Sequence, residues 1–132
     1  MTTHASGSFE VQDWNESTYR DLGGGAKLAR ATVVETFQGD ICGDATAEFL
    51  LTYADAETAF FAGVQRITGT LGGRTGSFVL QINGTFADGK AGADWFVVPG
   101  SGTGELQGLH GNGGFPPHKG RVVKYTLEYV FE

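Results

Sequence analysis

Hydrophobic and polar residues alternate with a period of two along most of this chain. In residues 44–53, small or apolar side chains at the odd positions alternate mainly with polar ones at the even positions. Residues 76–86 and 122–131 show the same alternation, and aromatic and β-branched residues are frequent in all three. A strand with one face buried and the other in water has this pattern, and antiparallel sheets are built from such strands.

The alternation predicts eight strands, separated by segments rich in Gly, Asp and Pro. Residues 15–28 contain three consecutive glycines, so they are expected to form a flexible loop, and residues 111–120 are expected to form a turn. The predicted strands span residues 6–13, 27–38, 42–54, 58–71, 74–87, 91–98, 104–111 and 120–131.

The predicted fold class is all-β, an eight-stranded antiparallel up-and-down barrel formed by a single domain over residues 1–132. Glycines recur inside the predicted strands, as at Gly43, Gly63 and Gly69, which is typical of sharply coiled strands. Closure would remove the exposed edges of such strands. A two-sheet sandwich is the alternative. A barrel of this size is either filled by side chains or holds one small ligand.

Charge and composition narrow the classes of partner. The formal net charge is −6 and no basic cluster is present, which argues against nucleic-acid binding. No apolar run approaches the length of a membrane span, so no membrane partner is expected. The chain has one cysteine, Cys42, and its first residues lack the pattern of a secretory signal. Both observations favour a cytoplasmic location.

The glycine-dense segment 96–115 raises the question of a phosphate-binding loop. Gln107 stands where the dinucleotide fingerprint needs its third glycine, and strand-like alternation follows where that motif needs a helix. A second near-match, residues 84–91, ends in Ala91 instead of the Ser or Thr that binds magnesium. We therefore predict a barrel corner, with Pro99 and Gly100 breaking a strand, and no cofactor.

Metal binding is not predicted either. His4, Cys42, His110 and His118 are far apart, and none of them belongs to a motif with metal-ligand spacing. The histidines are instead expected to be solvated loop residues.

The candidate site consists of polar residues on the apolar faces of the strands. Strand parity places Glu35 and Gln65 inward, and we predict them as the catalytic residues. A buried carboxylate or amide must find a partner or bind something polar. A ligand-binding cavity and a filled core in which these groups satisfy each other are both open. The predicted ligand-binding residues share the same inward parity: Tyr53, Phe61, Phe78, Leu80, Ile82, Trp95, Tyr125 and Tyr129.

Several segments together resemble the bacterial domain of unknown function 3224 family, from about Gly7 to Glu132. They include "RITGTLGGRTGSFVLQINGTF", "VVPGSGTGELQGLHG" and "YTLEYVFE". The resemblance implies a barrel like that of allene oxide cyclase and plant dirigent proteins, often oligomeric, with an apolar central cavity. In those relatives the cavity folds a reactive intermediate and guides its cyclisation. The resemblance also implies an acidic residue and a histidine where this chain has Gln65 and Ile82.

Three functions follow as hypotheses. The first is a cofactor-independent isomerase or cyclase that acts on an apolar substrate, with Glu35 as acid–base group and Gln65 as a hydrogen-bond donor to an oxyanion. The second is a non-catalytic barrel that binds or sequesters an apolar metabolite. The third is a structural oligomerisation module. The expected partners are an apolar small molecule and further copies of the chain, in a dimer or trimer.

Overall fold

The computed structural model describes residues 2–132. Within them, eight antiparallel strands form a closed barrel in which each strand pairs with the next along the chain and the last pairs with the first. This confirms the predicted all-β class and excludes the sandwich. The strands are β1 (Thr3–Gly23), β2 (Ala26–Gly39), β3 (Ile41–Tyr53), β4 (Ala59–Leu71), β5 (Arg74–Ala87), β6 (Lys90–Val97), β7 (Leu109–His118) and β8 (Val122–Phe131).

The two ends of the barrel differ in packing. At one end, the packed end, buried leucine and isoleucine side chains fill the interior, among them Ile41, Leu71 and Leu109. At the other end, the open end, lie the turns at residues 24–25 and 54–58. The inward faces of the strands are apolar as the alternation predicts, because successive side chains of a strand point to opposite faces of the sheet. No helix among residues 2–132 has the length and apolar character needed to cross a bilayer.

Strand β1 is much longer than the sequence indicates. Residues 15–23 continue β1 and pair with β2, up to the pair Gly23–Ala26, so the predicted flexible loop is wrong. Gly24 and Gly25 form a two-residue turn with φ of 64° and 87°, a conformation that glycine adopts without strain. The consecutive glycines therefore make a hairpin.

The middle of the glycine-dense segment, residues 98–108, contains no strand. Strand β6 ends at Val97, and residues 98–108 cross beside the end of β5, which extends past β6. The Thr103 amide donates to the Ser77 carbonyl at 2.8 Å, and the Ser77 amide donates to Thr103 Oγ1 at 3.0 Å. The loop thus occupies the position beside β5 that a continued β6 would occupy. A 3₁₀ turn at Gly104–Leu106 replaces the start of the predicted strand 104–111.

Strand β7 occupies the segment that was predicted to be a turn. It runs over Leu109–His118 and includes two consecutive prolines, Pro116 and Pro117. The pairing of β7 with β6 shifts register at this point, between the pairs of Ala91 and Ala93. Prolines are tolerated there because an irregular pair leaves backbone positions that need no amide donor. The prediction failed because prolines at a bulge have the same local signal as a turn.

Candidate functional site

A cavity of about 390 Å³ lies inside the barrel and extends to the open end. This favours the pocket over the filled core for that half of the interior. Its walls come from strands all around the barrel and are mainly apolar. The lining side chains include Phe9, Trp14, Glu16, Glu35, Phe49, Tyr53, Phe61, Gln65, Ile82, Ala91, Trp95, Phe115, His118 and Arg121.

Glu35 and Gln65 meet inside this cavity although a whole strand separates them. Glu35 lies on β2 and Gln65 on β4, and the residues paired with them on the intervening β3 are Ala45 and Ala47. The methyl groups of these alanines leave room for the longer side chains to reach across. Gln65 Nε2 donates a hydrogen bond to Glu35 Oε1 at 2.5 Å. The structure therefore brings the two predicted catalytic residues together.

The environment of Glu35 shifts its titration into the neutral range. The side chain is only 6% exposed, and burial raises the pKa of Glu35 from its ordinary 4.5 to about 7. The hydrogen bond from Gln65 acts in the opposite direction and lowers the pKa, but the effect of desolvation is larger. A carboxyl group with this pKa can both accept and release a proton near pH 7.

The pair leaves one polar atom of Gln65 without a partner. Gln65 is 1% exposed, and its Oε1 atom makes no hydrogen bond within residues 2–132. The His118 Nε2 atom is likewise buried and unpaired in the described part of the chain, and it also lines the cavity. The sequence prediction gave Gln65 the role of oxyanion donor. In the structure one of its two N–H groups is engaged by Glu35, and its unpaired atom, Oε1, is a hydrogen-bond acceptor.

An aromatic cluster forms the floor of the cavity. Phe9, Trp95 and Phe115 line it, with ring centroids 5.3 to 6.2 Å apart. Phe37 and Tyr125 lie behind them, since each has its ring centroid within 6.5 Å of that of Trp95. The Trp95 indole N–H donates to the Thr126 carbonyl at 3.1 Å, so this ring has a fixed orientation. The cluster separates the cavity from the packed end.

The mouth of the cavity carries a short hydrogen-bonded chain. Tyr53 Oη donates to Glu16 Oε2 at 2.7 Å, and Trp14 Nε1 donates to Glu16 Oε1 at 2.9 Å. Burial and, second, the hydrogen bond to Glu16 raise the pKa of Tyr53 to about 12, so its hydroxyl is protonated at neutral pH. The Trp14 ring stacks on Phe49 with centroids 6.3 Å apart. These contacts position an aromatic wall at the entrance.

The predicted ligand-binding residues divide into two groups. Tyr53, Phe61, Ile82 and Trp95 line the cavity together with Glu35 and Gln65. The other four do not line it and belong to the packed part of the barrel: Phe78, Leu80, Tyr125 and Tyr129. Strand parity selects the inward face correctly but gives no depth along the barrel axis.

Other lining residues were missed by the sequence analysis. Trp14 was missed because the first predicted strand ended at residue 13, and Glu16 because residues 15–28 were expected to be a loop. In the structure β1 continues through both after a register shift. His118 was expected in a solvated turn, and it instead ends β7. Phe9 and Phe49 had inward parity in their predicted strands, so counting inward aromatic residues would have included them. Phe115 was missed because it lay in the predicted turn 111–120.

The structure offers no metal centre in its described part. No three His, Cys, Asp or Glu side chains of residues 2–132 lie close enough together to hold a metal ion. A larger and more open groove of about 1250 Å³ lies on the outer surface, and its lining residues include Leu50 and Pro117. That groove lacks the buried pair of polar side chains, so the inner cavity is the candidate site.

Comparisons with known proteins agree with the fold. The family model described as "Protein of unknown function (DUF3224)" matches residues 5–129. A crystal structure at 1.84 Å resolution of a DUF3224 family protein of unknown function from Shewanella oneidensis MR-1 is 30% identical, with a TM-score of 0.78. The alignment covers 100% of this chain and 99% of that one. No curated protein matches the chain. The implied likeness to allene oxide cyclase stays a prediction.

Proposed function

Because the chain belongs to the DUF3224 family, whose function is unknown, we propose a function from the cavity itself: the barrel binds an apolar small molecule in its open half. The observation that carries this proposal is an apolar cavity inside the barrel that contains a buried pair of hydrogen-bonded polar side chains, Glu35 and Gln65. Ligand sites in proteins have this combination, and their volumes start at about 300 Å³.

The shape of the cavity supports an occupant that enters from the open end. The aromatic floor closes the inner side, while the aromatic wall of Trp14 and Phe49 leaves the mouth open. Apolar walls that a ligand covers leave water, which is the main driving force for such binding. The polar pair then orients the ligand because it is the polar feature at the inner part of the cavity.

A binding experiment with a blocked variant tests the proposal. Naphthalene, a neutral apolar probe, is titrated into the protein while the amide and indole N–H signals are followed by NMR. We expect shifts at the Trp95 indole N–H and at β2 and β4. Ala91→Phe, which places a ring in the cavity, should abolish these shifts. The matched control Ala62→Phe places the same ring on the exposed outer face, in the outer groove.

The outcome separates the two sites. Binding that survives Ala91→Phe but is lost in Ala62→Phe would assign the probe to the outer groove and contradict the proposal. Absence of any shift up to the solubility limit of naphthalene would also contradict it.

A second candidate function is that of a cofactor-independent isomerase, and it is favoured by the pKa of Glu35 near 7. In such a reaction the Glu35 carboxylate takes a proton from a substrate carbon and returns it to another position. The substrate would supply both the carbon acid and the acceptor, so no other reactant is needed. Orientation of the substrate by the cavity would supply part of the acceleration.

Proton exchange on a model ketone tests this second candidate. 2-Tetralone is incubated with the protein in deuterated buffer, and the exchange of its protons α to the carbonyl is followed by NMR. We expect acceleration by the wild type and a rate roughly 10²-fold lower for Glu35→Gln, with the affinity for the ketone little changed. Equal acceleration by both proteins would exclude Glu35 as the base, and a wild-type rate equal to that in buffer would leave a binding barrel without catalysis.

The homo-oligomer stays a prediction. Large apolar side chains are exposed on the outer faces of several strands, among them Leu50, Phe60, Val64 and Phe96. Sedimentation velocity at several protein concentrations measures the state of association directly.

A further inference from the structure

We infer that the ligand of the cavity is a neutral apolar molecule with a hydroxyl group, or a comparable hydrogen-bond donor, at its buried end, and that this group donates to Gln65 Oε1. The inference rests on the proposed binding function and specifies the chemistry of the ligand at that same site.

The starting point is the unpaired oxygen of Gln65. The side chain is almost completely buried, and Oε1 has no donor among the described residues. Leaving a buried acceptor unpaired is costly, and native structures leave few such atoms without a partner. The atom belongs to a residue that lines the cavity, so a ligand in the cavity can supply the missing donor.

The orientation of the amide is set by its neighbour. Gln65 Nε2 donates to Glu35 Oε1, and an ionised carboxylate can only accept. With Glu35 ionised, as it mostly is above its pKa of about 7, rotating the amide by half a turn would place two acceptors against each other. Gln65 Oε1, which makes no hydrogen bond, is therefore an acceptor open to the ligand, and one of the two N–H groups of Nε2 is already engaged by Glu35.

The charge of Glu35 adds a second criterion for the ligand, namely the charge that its buried end can carry. A ligand carboxylate at the buried end would lie beside another carboxyl group within apolar walls, where like charges repel strongly because little water screens them. Arg121 lines the cavity, and its guanidinium donates to the carbonyls of Val11 and Gln12 at the bulge in β1. Lys27 lies at the mouth, where its Nζ is 4.6 Å from the centroid of the Tyr53 ring. A neutral donor is thus favoured over an acid.

A set of three probes with one ring system tests the inference. The probes are 2-naphthol, which has a donor, 2-methoxynaphthalene, in which the donor is blocked, and 2-naphthoate, which is anionic. Dissociation constants are measured at pH 8 by the NMR titration described above. We expect 2-naphthol to bind about tenfold more tightly than 2-methoxynaphthalene, which is the worth of one net hydrogen bond. 2-Naphthoate should bind most weakly.

Two variants test whether the preference for 2-naphthol over 2-methoxynaphthalene arises from Gln65. Gln65→Leu removes the acceptor, so the tenfold preference should disappear while 2-methoxynaphthalene binds as before. Gln81→Leu makes the same change on the exposed outer face of β5 and should leave the preference intact. If Gln65→Leu does not fold, the ranking of the three probes on the wild type decides alone.

Each contrary result has its own meaning. Equal affinities for 2-naphthol and 2-methoxynaphthalene would overturn the inference while the proposed binding function stands. A preference for 2-naphthol that persists in Gln65→Leu would assign the donor to another acceptor and also overturn it. Tightest binding of 2-naphthoate would favour an acidic ligand and overturn the inference of a neutral one. Failure of all three probes to bind would overturn both the inference and the proposed function.

Discussion

At the scale of single residues, Glu35 is a buried carboxyl group whose pKa is raised by its surroundings. Its carboxyl group is buried among apolar walls, and its partner within the cavity is the neutral amide of Gln65. A cationic partner would have held the pKa low, but the amide compensates only part of the desolvation. The barrel therefore keeps a carboxyl group that titrates near pH 7.

Glu35 should make the stability of the fold depend on pH. Its pKa is about 7 in the folded state against 4.5 ordinarily, so the folded protein binds the proton more tightly. The stabilisation is complete below pH 4.5 and is lost as the pH rises to about 7, in total about 3 kcal/mol. In Glu35→Gln this loss is absent. The difference in free energy of unfolding between the two proteins, measured by urea denaturation, should therefore change by that amount across this window.

The other carboxylates contribute equally to the pH dependence of stability in both proteins, so their contribution cancels in the difference. Glu48, for example, has a pKa lowered first by its hydrogen bond from Thr32, and it titrates in both proteins. Parallel stability curves for wild type and Glu35→Gln would contradict the assigned environment of Glu35.

At the scale of elements, the loop of residues 98–108 completes the sheet where β6 is too short. Its backbone pairs with β5, and the 3₁₀ turn carries Leu106 into the packed end, where it is fully buried. The space beside β5 is too narrow for a side chain at Gly76, because a Cβ atom there would lie 2.0 Å from the Thr103 carbonyl oxygen. The glycines of this region allow close approach of two backbones.

Leu106 should contribute to stability as a core residue does. Leu106→Ala should lower the free energy of unfolding by about 2–5 kcal/mol because it leaves a hole in the packed end. The control Leu22→Ala removes the same atoms from a side chain that is 53% exposed, and it should change stability by no more than about 0.5 kcal/mol. Urea denaturation measures both. Equal effects would show that the loop is not part of the core.

At the scale of the whole molecule, closure of the barrel depends on the seam between β1 and β8. The pairs run from Thr3–Tyr129 to Glu10–Val122. Beside this seam, Tyr125 on β8 reaches the turn between β2 and β3. Its hydroxyl accepts a hydrogen bond from the Ile41 amide at 2.9 Å and donates to the Gln38 carbonyl at 3.1 Å. One side chain thus connects the last strand to the turn between β2 and β3.

Removing that hydroxyl should weaken closure. Tyr125→Phe leaves the buried Ile41 amide without an acceptor, so the free energy of unfolding should fall by about 1–3 kcal/mol. Hydrogen exchange of the Ile41 amide should accelerate as well. Tyr19→Phe serves as control, since Tyr19 is 59% exposed. Unchanged exchange at Ile41 in Tyr125→Phe would contradict this role.

Local sequence patterns determined much of this architecture. Alternation with a period of two indicated the strands, their inward faces and the inward positions of Glu35 and Gln65, because side-chain direction in a strand is a property of the local backbone. The same pattern indicated a barrel, since strands with a single apolar face must bury it together. Local signals failed where the partner strand decides the conformation, as in residues 15–23 of β1 and at the prolines of β7.

The tertiary structure alone decided what the inward residues do. Parity cannot distinguish Tyr125, which ties the seam, from Tyr53, which lies at the mouth of the cavity, because depth along the barrel depends on the register of all eight strands. The contact of Glu35 with Gln65 depends on the two alanines that β3 places between them. The sequence by itself determined a barrel with polar groups inside, and the packing of distant segments decided that half of it is filled and half is open.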